Sequence, residues 1–241
     1  ELLIVLGVDT GGTFTDFVLF DGKELNVHKV ISTPHNPAEA VFDGIKSLEV
    51  TKEKMSIVHG STVATNTLLE RKGAKVALIT TSGYEDVIEI GRQSRSSLYD
   101  LFITRDLPLV PDVLRWGVQE RVASTGKVLS GVRKSDLKKI CIELKKQGIE
   151  SVAVCFLFSY INPANEDVVV SELEKLGIHV SASSRILPEY REYERLSTTV
   201  VNAYVSPVMS KYLTSMEDGL ETKNIRIMQS NGGSISTGAA K

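Results

Sequence analysis

Residues 2–20 read LLIVLGVDTGGTFTDFVLF, two apolar runs joined by a turn rich in glycine and threonine. Each run, at residues 2–8 and 14–20, has the length of a single strand. A tight-turn signal at residues 21–23 leads into residues 25–31, where apolar side chains stand at alternate positions. The opening of the chain therefore predicts three strands joined by two turns.

The turn between the first two strands has the composition of a phosphate-binding loop. Several backbone amides must converge on a phosphate group, and only glycine lets a backbone come that close without a side chain in the way. Gly11 and Gly12 permit this approach, and hydroxyl donors are supplied by Thr10, Thr13 and Thr15. The turn therefore predicts a site for phosphate.

Asp9 stands at the end of the first predicted strand, directly before this loop. A buried carboxylate without a cationic partner is costly, so we expect something outside the chain to satisfy it. A hydrated magnesium ion has the required chemistry, because Mg²⁺ binds one or two carboxylates and keeps several waters. We therefore predict that Asp9 is the metal ligand and the catalytic residue.

Two commoner phosphate motifs do not fit this loop. A Walker A loop ends in lysine followed by serine or threonine and opens a helix, whereas residues 14–20 carry a strand pattern. A dinucleotide fingerprint has the form GxGxxG and also opens a helix. A plain hairpin turn remains as the alternative, although a hairpin needs neither the aspartate nor three threonines.

The rest of the chain alternates between helix and strand patterns. Helices are predicted at residues 36–48, 62–72, 135–147 and 162–176, and strands at residues 56–59, 75–80, 151–158, 178–182 and 225–229. A long helical pattern from 188 toward 221 should be kinked or split by Pro207. Residues 83–129 carry no assignable pattern. This alternation predicts an α/β fold with parallel strands.

The charge balance argues against nucleic acid as a partner. Lysine and arginine number 28 and aspartate and glutamate 30, and no basic stripe is present. The longest apolar stretches are too short to cross a bilayer. No cationic leader with a cleavage site precedes the first strand. We therefore expect a cytoplasmic protein that binds neither nucleic acid nor a membrane.

Residues 8–16, VDTGGTFTD, resemble the first phosphate motif of the hydantoinase A and 5-oxoprolinase family, a branch of the actin/hexokinase superfamily. Four further segments are similar to the same family: HGSTVATNT at 59–67, GRQSR at 91–95, PEYREYER at 188–195 and QSNGG at 229–233. Together these segments span nearly the whole chain in the expected order. The set is much more specific than the loop alone.

The resemblance implies an α/β fold: an actin/hexokinase-like (ribonuclease H-like) lobe with an inserted smaller α/β unit at about residues 83–183. It implies that residues 1–183 form the hydantoinase/oxoprolinase N-terminal region and that residues 184–241 begin the hydantoinase A core. Family members continue into a second lobe with another phosphate loop and the adenosine pocket. The resemblance therefore implies an N-terminal fragment that lacks this second lobe.

The activity implied by the resemblance is ATP-dependent hydrolysis of a cyclic amide, such as a hydantoin or 5-oxoproline, through a phosphorylated amide. ATP and Mg²⁺ are the implied cofactors, and a hydantoinase B-like subunit or domain is the implied partner. An ATP-dependent acetone or acetophenone carboxylase, a small-molecule kinase and a non-catalytic actin-like scaffold remain alternatives. The isolated chain is expected to be inactive, because half of the nucleotide site is missing.

The resemblance also implies roles for individual residues. Asp9 would orient the metal, the phosphate oxygens would be held by Thr10, Gly11, Gly12 and Thr13, and Thr15 and Asp16 would support the loop or reach the metal. The implied substrate contacts are His59, Ser61, Thr62, Thr65, Asn66, Arg92, Arg195, Asn231, Gly232 and Gly233. Simpler interpretations stay open: a core histidine at 59, a helix cap at 61, and solvated arginines at 92 and 195.

Overall fold

A computed structural model of the chain describes residues 4–33, 35–48, 55–93, 99, 102, 107–220 and 224–240. The chain divides into two compact units. The first unit comprises residues 1–73 and 206–241, and the second comprises residues 74–205. Each unit has its own sheet.

The described strands are β1 (Ile4–Thr10), β2 (Phe14–Phe20), β3 (Leu25–Ile31), β4 (Met55–Ser61), β5 (Val76–Thr81), β6 (Arg115–Val118), β7 (Arg121–Val122), β8 (Val128–Ser130), β9 (Ser151–Cys155), β10 (His179–Ala182), β11 (Ile225–Met228) and β12 (Ser234–Ser236). The described helices are α1 (Pro37–Ser47), α2 (Val63–Leu69), α3 (Val87–Ile90), α4 (Lys134–Lys146), α5 (Ala164–Glu174), α6 (Ser183–Ile186), α7 (Glu192–Leu220) and α8 (Thr237–Ala240).

The first unit is built on a six-stranded sheet in the order β12-β11-β4-β1-β2-β3. The antiparallel meander β1-β2-β3 confirms the three strands predicted from the opening sequence. Strand β4 pairs parallel to β1, and β11 pairs parallel to β4. A meander followed by two parallel strands is the ribonuclease H-like arrangement, and the actin/hexokinase-like α/β fold is thereby confirmed.

One face of this sheet forms the core of the first unit. Alternate residues of β1, together with Phe17 and Ile57, point inward and are buried. They pack against the apolar side of α1 and against the C-terminal part of α7. The central members of the cluster are Leu6, Val8, Phe17, Val41, Ile45, Ile57, Leu213 and Met216.

The opposite face of the meander is exposed. Residues paired across β2 and β3 on this face combine an ion pair with large apolar side chains. Their apolar members are 41% to 75% exposed: Phe14, Val18, Phe20, Leu25, Val27 and Ile31. Asp9 and Asp16 lie on this same face, because residues directly opposite in an antiparallel pair share a face.

The second unit contains a four-stranded parallel sheet in the order β10-β9-β5-β6. Every residue of β5 and β9 is buried, as expected for a parallel sheet covered on both faces. Helices α4 and α5 contribute buried apolar side chains to this unit. A separate two-stranded ribbon pairs β7 with β8.

The boundary predicted for the inserted unit, at about residues 83–183, differs from the observed division at 74 and 205. Strand β5 lies before the predicted start of the inserted unit, yet it pairs with β6 and β9. Strand β6 lies in the stretch 83–129, where prolines and glycines hid its pattern. Strand β6 pairs with β5 through four residues. A stretch this short does not show an alternation of apolar and polar side chains in the sequence.

Two predicted helices also differ from the structure. Helix α2 ends at Leu69 instead of near residue 72, and the chain turns at Arg71, whose φ is 56°, instead of at Gly73. Helix α7 continues through Pro207 without being split. Its residues 192–205 belong to the second unit and residues 206–220 to the first, so Pro207 stands beside the boundary between units.

Candidate active site

Ser32, which follows β3, holds the loop between β1 and β2 through two hydrogen bonds. The amide of Gly11 donates to the carbonyl of Phe14 at 3.0 Å and closes the turn. The hydroxyl of Ser32 donates to the Gly11 carbonyl at 2.8 Å, and its amide donates to the Thr13 carbonyl at 2.9 Å. Two loop carbonyls are therefore turned toward the protein.

The loop amides are left available by this arrangement. None of the residues in the described ranges accepts a hydrogen bond from the amide of Gly12 or Thr13. Both residues are exposed. Two adjacent exposed residues whose amides are not engaged, one of them without a side chain, are suited to receive an anion. The phosphate-binding role of the loop stays a prediction, with which the free amides are compatible.

Asp9 lies near the end of β1 and is exposed, which corrects the expectation of a buried carboxylate. The period of the strand explains the difference, because Val8 and Thr10 face the core and Asp9 between them faces outward. Gly60 on β4 is in register with Asp9. A methyl group at position 60 would lie 3.1 Å from Asp9 Oδ1, so this glycine keeps the space beside the carboxylate open.

Asp16 faces Asp9 directly across the two strands. Its carboxylate pairs with Lys29 Nζ at 3.0 Å, whereas Asp9 forms no ion pair within the described ranges. Thr15, predicted to support the loop or reach the metal, is fully buried and shares a 2.9 Å hydrogen bond with the Ser32 hydroxyl. Burial makes Thr15 a support of the loop.

These carboxylates fit a hydrated Mg²⁺ ion better than a metal held by protein ligands alone. Among the residues that the structure describes, no group of three His, Cys, Asp or Glu side chains could enclose a metal. Mg²⁺ usually keeps several waters and uses one or two carboxylates together with substrate phosphates. An exposed, unpaired Asp9 beside available loop amides meets that requirement.

A cavity of about 510 Å³ adjoins the loop on the side of Ser32 and helix α2. Its polar lining includes Thr62, whose amide and hydroxyl both donate to the Thr10 carbonyl, at 3.2 and 3.3 Å. The Asn66 side-chain amide donates to Thr62 Oγ1 at 3.3 Å. Of the predicted substrate residues, Thr62 and Asn66 line this cavity together with Gly11 and Gly12.

Other predicted contacts from this segment lie elsewhere. Thr65 is exposed on α2 and does not line the cavity. Ser61 Oγ accepts a 3.2 Å hydrogen bond from the Val63 amide at the start of α2. His59 is fully buried, which removes it from the surface predicted to meet substrate. Burial lowers the pKa of His59 to about 4, so the imidazole is neutral near pH 7.

The glycine-rich turn after β11 reaches the same edge of the sheet as the loop, because β1, β4 and β11 run parallel. The turn is closed by the Gln229 amide donating to the Gly233 carbonyl at 2.8 Å. Asn231 Oδ1 accepts from the Gly233 amide at 2.8 Å, and Gly232 has a φ of 84° that favours glycine. Asn231 Oδ1 therefore helps to hold the turn, and a substrate contact through Asn231, Gly232 or Gly233 stays a prediction.

Two predicted substrate arginines belong to the second unit. Arg92 Nε donates to Glu194 Oε1 at 2.6 Å on the surface of that unit. Arg195 is fully buried, and its guanidinium is held by the Phe156 carbonyl at 2.8 Å and by Glu192. Full burial corrects the expectation that Arg195 meets substrate. The second arginine of the GRQSR segment, Arg95, lies outside the described residues.

Sequence reasoning missed Ser32 and Tyr212. Ser32 follows β3 and was not part of a motif, yet it anchors the loop from 21 residues away. Tyr212 lies within α7 and its hydroxyl is 2.7 Å from His59 Nε2. The meander brings Ser32 to the loop and the end of α7 brings Tyr212 to His59, and no local pattern carries that information.

Within the ranges that the structure describes, no helix combines the length and apolar character needed to span a bilayer. The sheet order of the first unit, the loop between its first two strands and the exposed aspartate beside it define an actin/hexokinase-like ATPase fold. Two family descriptions match: "Hydantoinase/oxoprolinase N-terminal region" over residues 5–177 and "Hydantoinase/oxoprolinase" over residues 195–241. The chain belongs to the hydantoinase/oxoprolinase family.

Named relatives agree with this assignment. An uncharacterized protein of Methanocaldococcus jannaschii is 41% identical over 95% of this chain, and the caprolactamase alpha subunit of Pseudomonas jessenii is 34% identical over 95%. The nucleotide-free structure of an acetone carboxylase, from work on ATP-dependent acetone carboxylation, aligns with a TM-score of 0.83 at 30% identity, covering 98% of this chain and 38% of that one. The chain spans about a third of the length of its curated relatives, 35% in both cases.

Proposed function

We propose that this chain supplies the first phosphate-binding part of an ATP-dependent enzyme that opens a cyclic amide. The observation that carries the proposal is the exposed, unpaired Asp9 beside the two available amides of Gly12 and Thr13. The name of the similar caprolactamase denotes a lactam, which is a cyclic amide, and supports this substrate class.

The proposed reaction begins with transfer of the γ-phosphoryl group of ATP to the amide carbonyl oxygen, with ADP as the leaving group. An unstrained amide resists water because resonance makes both its carbonyl carbon and its nitrogen unreactive. Phosphorylation removes this resonance. Water then adds to the carbon, and the carbon–nitrogen bond breaks as nitrogen takes up a proton, which leaves an acyl phosphate. A second water attacks the acyl phosphate and releases phosphate from the carboxylate. The products are the open amino acid, ADP and phosphate.

The residues of this chain act mainly through position and charge, as in other phosphoryl transfers. The amides of Gly12 and Thr13 hold phosphate oxygens, and Ser32 keeps the loop in the conformation that presents them. Asp9 would hold a hydrated Mg²⁺ ion, which would supply positive charge against the phosphates. Asp16 lies on the same face of the sheet as Asp9, and its charge is neutralised by Lys29.

The cavity beside the loop is the proposed place for the cyclic amide. The Thr62 hydroxyl already donates to the Thr10 carbonyl, so the remaining N–H of the Asn66 side-chain amide is the donor offered to a carbonyl, and Asn66 Oδ1 is an acceptor for an N–H group. Its volume of about 510 Å³ accommodates a small ring with the terminal phosphate. Arg92 belongs to the second unit, and its role toward a substrate carboxylate stays a prediction.

ATP-dependent carboxylation of a ketone is the second candidate, favoured by the similarity to acetone carboxylase. A small-molecule kinase or an actin-like scaffold would use the same loop. A hydantoinase B-like partner and a cytoplasmic location also stay predictions. Relatives named as subunits support assembly with other chains, since the caprolactamase match is called subunit alpha.

The test measures phosphate release by the full-length protein with MgATP and each of caprolactam, a hydantoin, 5-oxoproline, and acetone with bicarbonate. Ring-opened product formed together with phosphate supports the amide reaction, and a carboxylated product supports the second candidate. Phosphorylated substrate would indicate a kinase. No stimulation by any compound, with nucleotide-dependent assembly instead, would indicate a scaffold and contradict the proposal.

A matched pair of variants ties the activity to the site. Asp9→Asn should lower substrate-stimulated ATP hydrolysis by about 10²–10³-fold, while Asp43→Asn, an exposed aspartate on α1, should leave it unchanged. Equal rates in Asp9→Asn and wild type would refute the role given to Asp9.

A further inference from the structure

Strand β3 is one edge of the sheet in the first unit. The opposite edge, β12, has three residues, whereas β3 has seven. A long edge strand is open to pairing with a further strand unless proline, a bulge or charge prevents it. Residues 25–31 contain no proline, and their one full charge, on Lys29, is neutralised by Asp16 at 3.0 Å. Strand β3 also pairs with β2 without a bulge, so its outer edge is regular.

The hydrogen bonds at the two ends of the β2-β3 pair show which backbone groups face this edge. The Asp21 amide donates to the Glu24 carbonyl at 3.4 Å, and the Ser32 amide donates to the Thr13 carbonyl at 2.9 Å. Both pairs continue the observed register, and in an antiparallel ladder hydrogen-bonded pairs alternate with pairs that are not hydrogen-bonded. The even-numbered residues of β3 therefore bond to β2.

The odd-numbered residues of β3 direct their backbone amides and carbonyls to the open edge. Among the residues that the structure describes, no other element forms a backbone hydrogen bond with these groups. The three apolar side chains of the set are 68% to 75% exposed. A strand that pairs here would gain main-chain hydrogen bonds and side-chain contacts together. The set consists of Leu25, Val27, Lys29 and Ile31.

This edge is complementary to itself. Two copies of β3 can pair antiparallel around a two-fold axis at His28, since one surface then meets its own copy. Leu25 lies opposite Ile31 of the second copy, and Val27 lies opposite Lys29 of the second copy. Each such pair exchanges two hydrogen bonds, which gives about eight over the whole strand. Every backbone group that faces the open edge is thereby satisfied.

Other registers are less favourable. An axis at Val27 leaves Ile31 without an opposite residue in the second strand. An axis at Lys29 places two lysines directly opposite each other, where like charges repel. An axis between two residues sets edge-facing groups opposite groups that already bond to β2. The axis at His28 therefore combines a full set of hydrogen bonds with no contact between lysines.

We propose that two copies of this chain associate through their β3 strands and form one continuous sheet across the two-fold axis. The proposal concerns the first unit and does not rest on the function proposed above. A seven-residue edge offers a small contact area, so the dimer should be weak and reversible. A second copy is the occupant because the register and the charges of this edge fit themselves.

Sedimentation velocity of the full-length protein over a wide range of concentration measures the association. Val27→Pro removes an amide that faces the open edge and leaves the bonds to β2 in place, because proline is tolerated where the N–H of an edge strand faces solvent. It should raise the dissociation constant of the dimer at least roughly tenfold, whereas Val27→Thr, which keeps the amide, should not. A monomeric wild type, or a constant that Val27→Pro leaves unchanged, would overturn the proposal.

A second variant covers the case in which Val27→Pro does not fold. Val27→Lys keeps the amide but adds an ammonium group opposite Lys29 of the second copy, so like-charge repulsion should weaken the dimer. Leu69→Lys makes the same change of charge at a side chain on α2 that is also 75% exposed, and it should leave the constant unchanged. Equal effects of the two lysine substitutions would mean that net charge and not β3 controls association, and would contradict the proposal.

A cysteine crosslink tests the register. His28→Cys places two cysteines opposite each other in a pair that is not hydrogen-bonded, with Cα atoms about 4.5 Å apart, within the range of a disulfide. Asn26→Cys is the matched control, because Asn26 lies opposite Val30 of the second copy and its two copies are more than about 13 Å apart. Mild oxidation should give a reducible dimer with His28→Cys, above the background that Cys141 and Cys155 give in the wild type. Equal crosslinking at both positions, or none at either, would overturn the proposed pairing.

Discussion

Asp9 on β1 and Asp16 on β2 are directly opposite each other on the exposed face of the sheet, and only Asp16 is neutralised, by Lys29 at 3.0 Å. Two adjacent carboxylates with one lysine leave an unpaired negative charge at Asp9. Gly60 keeps the neighbouring position open. This asymmetry predicts that the two aspartates contribute unequally to any activity that needs a cation.

Asp9→Asn should lower kcat for ATP hydrolysis by about 10²–10³-fold in the full-length enzyme, the range seen when one preorganised electrostatic group is lost. Asp16→Asn should have a much smaller effect, because Lys29 already neutralises that carboxylate. Steady-state phosphate release at saturating MgATP measures both variants. Equal losses in the two variants would contradict this prediction, because the unpaired charge of Asp9 would then not distinguish it from Asp16.

His59 should make the first unit sensitive to acid. Burial holds the pKa of its imidazole at about 4, below the value of 6.5 expected in the unfolded chain. Between pH 6.5 and 4 the His59 imidazole is therefore protonated in the unfolded state and neutral in the folded state. The free energy of unfolding is therefore highest above pH 6.5 as far as His59 is concerned. It falls by on the order of 3 kcal/mol as pH is lowered toward 4.

The measurement is the free energy of unfolding in urea at several pH values, compared between wild type and His59→Gln. Carboxylates and the half-buried His179 titrate in both proteins, so their contributions cancel in the difference. Between pH 6 and 4.5 the wild-type slope should exceed that of the variant by about 1.4 kcal/mol per pH unit. Parallel curves would show that His59 accepts a proton in the folded state.

The sequence predicted best those elements whose pattern is local along the chain. Two strand-length apolar runs, the turns between the strands and the alternation at residues 25–31 predicted the β1-β2-β3 meander, and the loop between strands excluded two other nucleotide motifs. A period of two applied to the end of β1, where Val8 and Thr10 face the core, would have put Asp9 on the outer face. Treating Val8 as the last strand residue hid this, because the period of two was not carried into the polar end of β1.

The supports of the site could not be predicted in the same way. Ser32 contacts the loop from 21 positions away, and Tyr212 contacts His59 from 153 positions away. Contacts across such separations depend on how the sheet and α7 pack. Arg195 was misplaced for a related reason. Its neighbours alternate in charge as on an exposed helix, but the Phe156 carbonyl and Glu192 satisfy its guanidinium inside the second unit.

Gly44→Ala should destabilise the first unit although alanine is the better helix former. The new methyl group would lie 2.1 Å from the tip of the Phe17 ring, which is fully buried in the core. Overpacking of this kind costs about 1–3 kcal/mol, more than the roughly 1 kcal/mol that alanine gains in a helix. Thermal unfolding of the chain measures the net change.

Gly238→Ala is the matched control for this substitution. Gly238 lies in α8, a methyl group added there would have no atom within 4 Å, and the residue needs no unusual backbone angle. Alanine there should leave stability unchanged or raise it by less than about 1 kcal/mol. A loss in Gly238→Ala as large as in Gly44→Ala would mean that contact with Phe17 does not explain the effect.

Inner and outer positions of the meander should respond differently to loss of apolar side chains. Phe17→Ala removes a fully buried ring from beneath the loop and should cost about 3–5 kcal/mol of unfolding free energy. Val27→Thr changes a side chain that is 75% exposed on the outer face of β3 and should cost less than about 0.5 kcal/mol. Urea unfolding of both variants checks the pair, and a large loss in Val27→Thr would show that the outer face is buried in solution.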